Sequence, residues 1–235
     1  MNSAFEALLA PATLPYAGSS QYALRFARGK LRHDPVFLAI LEQGLLPDNG
    51  RLLDLGCGLG VLLALLHEAR EQFSKGQWNS AWPIPPRQLE LNGIELLQWK
   101  VAAGNLALKH KASIKQGDIR YSEFLPCSAV VILDVLLYLK ADEQRHTVQR
   151  IAQALQPGGV LLLREGNKTG GLRFHITRFA EQLCCLARGQ GWPNLHYRSQ
   201  QQWTELLQEL GFSVSHAPMS QGTPFANVLY IARKR

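Results

Sequence analysis

Leu53-Asp54-Leu55-Gly56-Cys57-Gly58-Leu59-Gly60 is the stretch that decides the fold. An apolar run over residues 51–55 leads into it. Val61, Leu62, Leu65, Leu66 and Ala69 follow at the spacing of a helix's buried face. A strand, a glycine-rich turn and a helix therefore succeed one another. Glycines at 56, 58 and 60 let the backbone turn sharply and approach a ligand closely. Three at alternate positions exceed what a bare turn requires. A dinucleotide loop needs G-x-G-x-x-G; counted from Gly56, its third glycine falls on Val61. That pattern also gives no role to an acid two residues before the first glycine, where Asp54 stands.

Outward from this loop the alternation continues. Residues 89–95 read as a strand, and Leu97, Val101 and Leu108 mark a helix. Residues 112–116 form a weak third strand. Residues 129–135 are the continuous apolar run expected of a central strand covered on both faces. Val148, Ile151, Ala152 and Leu155 mark a helix that stops at Pro157-Gly158-Gly159, and 160–164 is the next strand. Repeated βα units predict a parallel sheet with helices on both faces. Residues 172–188 and 198–210 read as helices. Residues 212–216 and 227–232 read as strands of an antiparallel hairpin closing one sheet edge. Upstream, residues 1–20 read as a loose arm and 20–46 as helical, with a break where Asp34 caps a helix opened by Pro35. The expected organisation is an arm with lid helices over 1–50 and a core over 51–235. Insertions at 71–88 and 166–197 are candidate lids or binding walls.

Composition bounds the function. The 235 residues are 46% apolar and 18% charged, enough for a core and too little charge for a disordered chain. No apolar run approaches about 18 residues, so no spanning helix is expected, and the start lacks signal-peptide character. A cytoplasmic location is the expectation. The four cysteines, Cys57, Cys127, Cys184 and Cys185, form no C-x-x-C pair and no zinc spacing, so neither a disulfide scaffold nor a metal is expected. The net charge of +7 raises nucleic acid as a partner. Residues 166–235 hold eight basic groups and three acids, so most of the excess is local to the C-terminal third. Nucleic acid is therefore the weaker expectation.

The D-x-G-x-G-x-G arrangement of Asp54, Gly56, Gly58 and Gly60 resembles motif I of class I S-adenosylmethionine-dependent methyltransferases. The resemblance implies a Rossmann-like seven-stranded, mainly parallel sheet ending in an antiparallel hairpin. It implies S-adenosyl-L-methionine as cofactor, with Asp54, Gly56, Cys57, Gly58 and Gly60 at its methionine end. A cationic sulfonium suits an acidic surrounding better than an anion-binding nest does. Glu95, ending the second strand, would accept the ribose hydroxyls, with Leu96 beside it. It lies 35 residues past Gly60, against about 20 in the simple fingerprint, because of the Trp/Pro insertion. Asp118 would meet the adenine amino group and Ile119 its ring. Asp134 opens the segment after the fourth strand, and Leu155-Gln156-Pro157-Gly158-Gly159 resembles the family's helix-to-strand-five junction. Together these matches cover about residues 45–165.

Methyl transfer asks the protein to position an acceptor and manage its proton. Base-directed amino methyltransferases often carry N/D-P-P-Y/F after strand four. Asp134-Val135-Leu136-Leu137 departs from that and points to a small acceptor modified at oxygen or carbon. Tyr16, Tyr22, Trp82, Tyr138, Phe174 and Trp192 are candidate pocket residues, and Glu165 and His175 candidate bases. Four further stretches look like methyltransferases of aryl-polyene or xanthomonadin-type pigment pathways. They are Pro15-Tyr16-Ala17-Gly18-Ser19-Ser20, Phe26-Ala27-Arg28-Gly29-Lys30-Leu31, His196-Tyr197-Arg198-Ser199, and residues 218–229. That implies an aromatic or polyketide-like acceptor, free or on an acidic acyl carrier protein. The helix over 172–188, with Arg173, Arg178 and Arg188, reads equally as a lid or a peripheral membrane contact. An RNA methyltransferase, a non-catalytic cofactor-binding or carrier-docking protein, and a nicotinamide-dependent reductase are the alternatives.

Overall fold

A computed structural model describes residues 3–187 and 191–235. The strands are β1 (Asn49–Leu55), β2 (Gln88–Glu95), β3 (Ser113–Gln116), β4 (Cys127–Leu133), β5 (Leu155–Gly166), β6 (Phe212–Pro218) and β7 (Asn227–Lys234). They form one sheet in the order β3-β2-β1-β4-β5-β7-β6. The first five are parallel, and β7 runs antiparallel to both β5 and β6. This is the expected Rossmann-like sheet with its C-terminal hairpin.

Strand alternation sorts side chains into two cores. Leu52, Leu91, Ala129, Val131 and Leu162 meet α4 (Val61–Ser74), α5 (Gln98–Leu108) and the N-terminal helices on one face. Leu53, Leu55, Val130, Ile132, Leu161 and Leu163 meet α6 (Ala141–Ala154) and α8 (Gln200–Glu209) on the other. Burial on both faces is why residues 129–133 are apolar without interruption. The strand order reverses direction between β1 and β4, and the crevice past their carboxyl ends is where ligands enter such sheets.

The N-terminal reading needs correcting. Within the expected loose arm, α1 spans Ser3–Thr13 and a 3₁₀ turn spans Leu14–Gly18. Phe5, Leu8 and Leu9 pack into the core beside α4, so these residues do not run loose. α2 (Gln21–His33) and α3 (Pro35–Glu42) break where expected, with the Asp34 carboxylate accepting from Val36 N at 3.2 Å. The helix expected over 172–188 is α7 (Leu172–Ala187); Arg188 lies outside the described residues.

Tyr16, an expected pocket residue, is instead fully buried behind the glycine loop, where its hydroxyl donates to Leu59 O at 2.9 Å. Its reach is inward because the 3₁₀ turn lies against α5 and α2. Trp82 is also displaced from its expected role. It packs edge-on against Trp78, 5.3 Å between ring centroids, in the segment that feeds the amino end of β2. Parallel strands put that segment at the opposite end of the sheet from the glycine loop.

Tyr16→Phe keeps the ring and deletes one buried hydrogen bond to the loop. Urea denaturation should show a loss of about 1–2 kcal/mol. An unchanged midpoint would mean that this bond does not hold the loop.

Candidate functional site

The glycine loop leaves β1 at its carboxyl end and turns over β2. Gly56 N and Cys57 N both donate to Ile94 O, at 2.8 and 3.2 Å. Gly56 has φ +71°, and a Cβ there would lie 2.5 Å from Val135 Cγ2. Only glycine lets the loop pass so close to the segment after β4. Gly58 has φ +60°, and no heavy atom lies within 4 Å of where its Cβ would sit, so its face opens on space.

Glu95 holds this arrangement. One carboxylate oxygen accepts from Gly58 N and the other from Leu97 N, both at 2.9 Å. Lys100 Nζ lies 3.9 Å away. The carboxylate thus ties the loop to the start of α5. Asp54 is buried at the end of β1, and its carboxyl is pushed up to about 7 by burial and by the nearby Glu95 charge.

These residues border a cavity of about 550 Å³. Asp54, Gly56, Cys57, Gly58, Glu95, Leu96, Asp118, Ile119 and Asp134 line it together, as do Tyr138 and Lys100. Gly60 does not line it; it sits at the N-cap of α4 with its amide bonded to Cys57 O at 2.9 Å. The Asp118 carboxylate is occupied by Arg120, 2.6 Å to the nearer guanidinium nitrogen, an interaction that holds it below the usual carboxylate range.

A second cavity, of about 290 Å³, adjoins the first. Lys30, Asp134 and Glu181 border both. Its wall includes Gly29 and Lys30 from α2, Tyr197, Met219, Thr223 and Phe225 from the β6–β7 connection, and Asn227 at the start of β7. Three of the four stretches carrying the narrower resemblance therefore meet here, though they lie far apart in sequence. The Tyr197 hydroxyl is buried and has no hydrogen-bond partner among the described residues.

Where the cavities meet, charge is fixed in place. Arg164, on β5 and 1% exposed, forks between Asp34 and Asp134. Its Nε donates to Asp134 at 3.0 Å, and Arg164 Nη2 to Asp34 at 2.8 Å. Lys30 Nζ adds a 2.8 Å pair to Asp34. Burial opposes the Asp34 charge, yet Arg164 and Lys30 hold its carboxyl well below the usual range. Asp134 itself stands at φ +58°, a strained position for a non-glycine residue. Glu181, on α7, accepts from Tyr138 OH at 2.9 Å. Burial, and after it the Glu181 charge, push the Tyr138 phenol up, keeping it a donor.

Several expected residues are elsewhere. Glu165 is 2% exposed and borders neither cavity. One of its carboxylate oxygens accepts from Val135 N at 3.2 Å and Leu136 N at 2.7 Å. It shapes the loop after β4, and burial and the Asp134 charge push its carboxyl well up. His175 is on the exposed side of α7 and Phe174 packs edge-on against Tyr197, 4.9 Å between centroids; neither lines these two cavities. Tyr22 is exposed and stacks with Phe26, and Trp192 is exposed. Of the expected pocket aromatics, Tyr138 borders the larger of these two cavities and the others border neither. Lys30, Arg164, Glu181 and Tyr197 were not singled out in the sequence for roles at this site. Two signals were present: an arginine inside an apolar strand, and Glu181 as the one acid between 166 and 204.

Comparison with known proteins follows the same lines. A family model described as a methyltransferase domain matches residues 24–217. Carboxy-S-adenosyl-L-methionine synthase of Chromohalobacter salexigens is 29% identical over 133 residues, which is 54% of this chain and 44% of that one. The chain thus spans less than half of that relative. The magnesium protoporphyrin IX methyltransferase of Synechocystis PCC 6803, solved with bound SAH, superposes with a TM-score of 0.61 at 16% identity, covering 92% of this chain and 88% of that one. An O-methyltransferase family protein from Burkholderia thailandensis gives 0.64 at 16% identity, over 93% and 61%. At these identities the structural likeness establishes the fold. Among the described residues no group of His, Cys, Asp and Glu is arranged to hold a metal ion, and no helix is long and apolar enough to cross a membrane.

Asp54 gives a pH test. Its native value near 7 lies above the unfolded one, near 4, so the folded state binds the extra proton and loses stability as pH rises between the two. Glu95, Cys57 and Tyr16 face it without supplying a cation. Asp54→Asn should raise the melting temperature, relative to the parent protein, more at about pH 8 than at about pH 5. The expected difference is on the order of 3 kcal/mol. An equal offset at both pH values would count against a buried, charge-strained Asp54.

Proposed function

The chain belongs to the methyltransferase-domain family, and from that premise we propose that it transfers methyl from S-adenosylmethionine to oxygen or carbon of a small aromatic or polyketide-like acceptor, free or carrier-bound. The observation carrying this reading is the pair of cavities meeting at Lys30, Asp134 and Glu181. The larger suits the cofactor. Gly58 offers a wall without side chain, Asp54 and Glu95 supply the acidity a sulfonium favours, and Leu96 and Ile119 supply apolar surface for a flat ring. When bound, the cofactor supplies a methyl group on a positively charged sulfur.

The smaller cavity takes the acceptor. Met219 and Phe225 give it apolar walls, and the unpaired Tyr197 hydroxyl gives one polar handle. Glu181 stands at the junction and takes the proton of an acceptor hydroxyl. Tyr138 orients that carboxylate through its hydrogen bond. Arg164, held between Asp34 and Asp134, fixes the wall of the junction that Lys30 and Glu181 also border. The name of the curated relatives describes a second reading, production of a carboxylated form of S-adenosylmethionine, which the match over half of this chain favours.

Calorimetry with S-adenosylmethionine and its demethylated product tests the cofactor. Binding is expected, with loss in Gly58→Leu, whose new side chain enters the cavity, while circular dichroism is retained. Methyl-labelled cofactor offered to hydroxylated aromatic acids tests transfer. Glu181→Gln should lower kcat about 10²- to 10⁴-fold and flatten the pH profile with cofactor affinity kept. Label passing to RNA with steep salt dependence would replace this reading, and a carboxylated cofactor as product would favour the second. An unchanged rate and pH profile in Glu181→Gln would remove Glu181 as the base.

A further inference from the structure

α7 is turned inside out relative to an ordinary surface helix. Leu172, Ile176, Phe179, Leu183 and Leu186 recur at spacings of four, three, four and three. At about 100° per residue they fall within roughly 80° of arc. All five are exposed, from 38% at Ile176 to 77% at Leu172. The opposite face carries Thr177, Glu181 and Cys185, which point to the cavities, and the buried Phe174. The helix thus packs its mixed face and offers its apolar one to solvent. A stripe of five large apolar side chains, about 20 Å long, marks a contact surface.

Charge selects the partner. Arg173 and Arg178 flank the stripe on either side and are exposed, with His175 beside them. The helix's one acid, Glu181, is on the inward face at the cavities. A second copy of α7 would bring arginine against arginine with no acid on the contact face. An anionic headgroup layer complements both features, taking the stripe into its acyl boundary and the arginines at phosphate level. The local excess of basic groups over 166–235 adds to that attraction. Trp192, 62% exposed just beyond the helix, has the amphipathic ring favoured at such boundaries.

We propose that the outer face of α7 seats this protein on an anionic lipid surface. The same helix would then have its inner face on the two cavities and its outer face in the lipid boundary. This inference stands on the stripe and its flanking charges, whatever the acceptor proves to be.

Sedimentation of the full chain with vesicles tests it. Equal parts phosphatidylcholine and phosphatidylglycerol should carry the protein down, phosphatidylcholine alone much less, and added salt should weaken binding. Phe179→Glu with Leu183→Glu should reduce binding at least about tenfold, because both side chains leave the acyl boundary. Both positions are exposed, so an unchanged melting temperature is expected and controls for folding. Arg173→Gln with Arg178→Gln should bring binding on the mixed vesicles toward that on phosphatidylcholine. No binding to either vesicle, or binding untouched by the glutamates, would overturn the proposal. So would a dimer that the glutamates dissolve in a protein indifferent to vesicles. Retention by an acidic carrier protein with no vesicle binding would likewise assign the stripe elsewhere.

Discussion

A buried guanidinium organises the functional end of this molecule. Arg164 sits in the middle layer of the sheet, 1% exposed, where an unpaired charge costs several kcal/mol. It is tolerable there only because Asp34 and Asp134 approach it from two sides. Those acids belong to different parts of the chain. Asp34 caps α3 and is drawn in from the N-terminal layer; Asp134 directly follows β4 and stands in a left-handed backbone conformation. One side chain therefore fixes the N-terminal helices over the sheet and sets the turn after β4. Two carboxylates exceed the single guanidinium charge, and Lys30, which borders both cavities, pairs with Asp34.

The same economy of carboxylates recurs around the glycine loop. Glu95 spends each of its oxygens on a backbone amide, Gly58 N and Leu97 N. Glu165 accepts from Val135 N and Leu136 N through one oxygen. Acids near the carboxyl ends of β2 and β5 thus hold the segments that leave the neighbouring strands β1 and β4. Asp54 is the exception. It is buried, with no cation paired to it among the described residues, and burial and the nearby Glu95 charge push its carboxyl up to about 7. Carboxyls shifted in this way are common at functional sites.

α7 links this end of the sheet to the surface. Its inner residues, Glu181 and Cys185, border the larger cavity, and its outer stripe is apolar. A helix with this arrangement is held by contacts on one side while a second environment acts on the other. The segment carrying it lies where the chain departs from strict βα alternation. That is the usual place for a family to vary its function without disturbing the sheet.

Much of this was legible in the sequence. The period-two and period-3.6 patterns gave seven strands in order, because a strand buried on both faces must be apolar throughout and a flanking helix only on one side. The loop residues Asp54, Gly56 and Gly58 declared themselves, since positive φ and close approach leave glycine little competition. Residues 3–18 did not, because small and proline-containing sequence looks the same loose or packed; burial of Phe5, Leu8 and Tyr16 is a property of the surface they meet. Glu165 and Glu181 show the limit most clearly. Both are acids near the same cavity wall, and no local pattern says that one faces backbone amides and the other the cavities. Sequence by itself determined the sheet, its helices and the turn chemistry at β1, because these follow from local periodicity and backbone sterics. The tertiary structure alone decided which distant side chains share the junction, because Asp34, Asp134, Arg164 and Glu181 meet only after the sheet and its covering helices have closed around them.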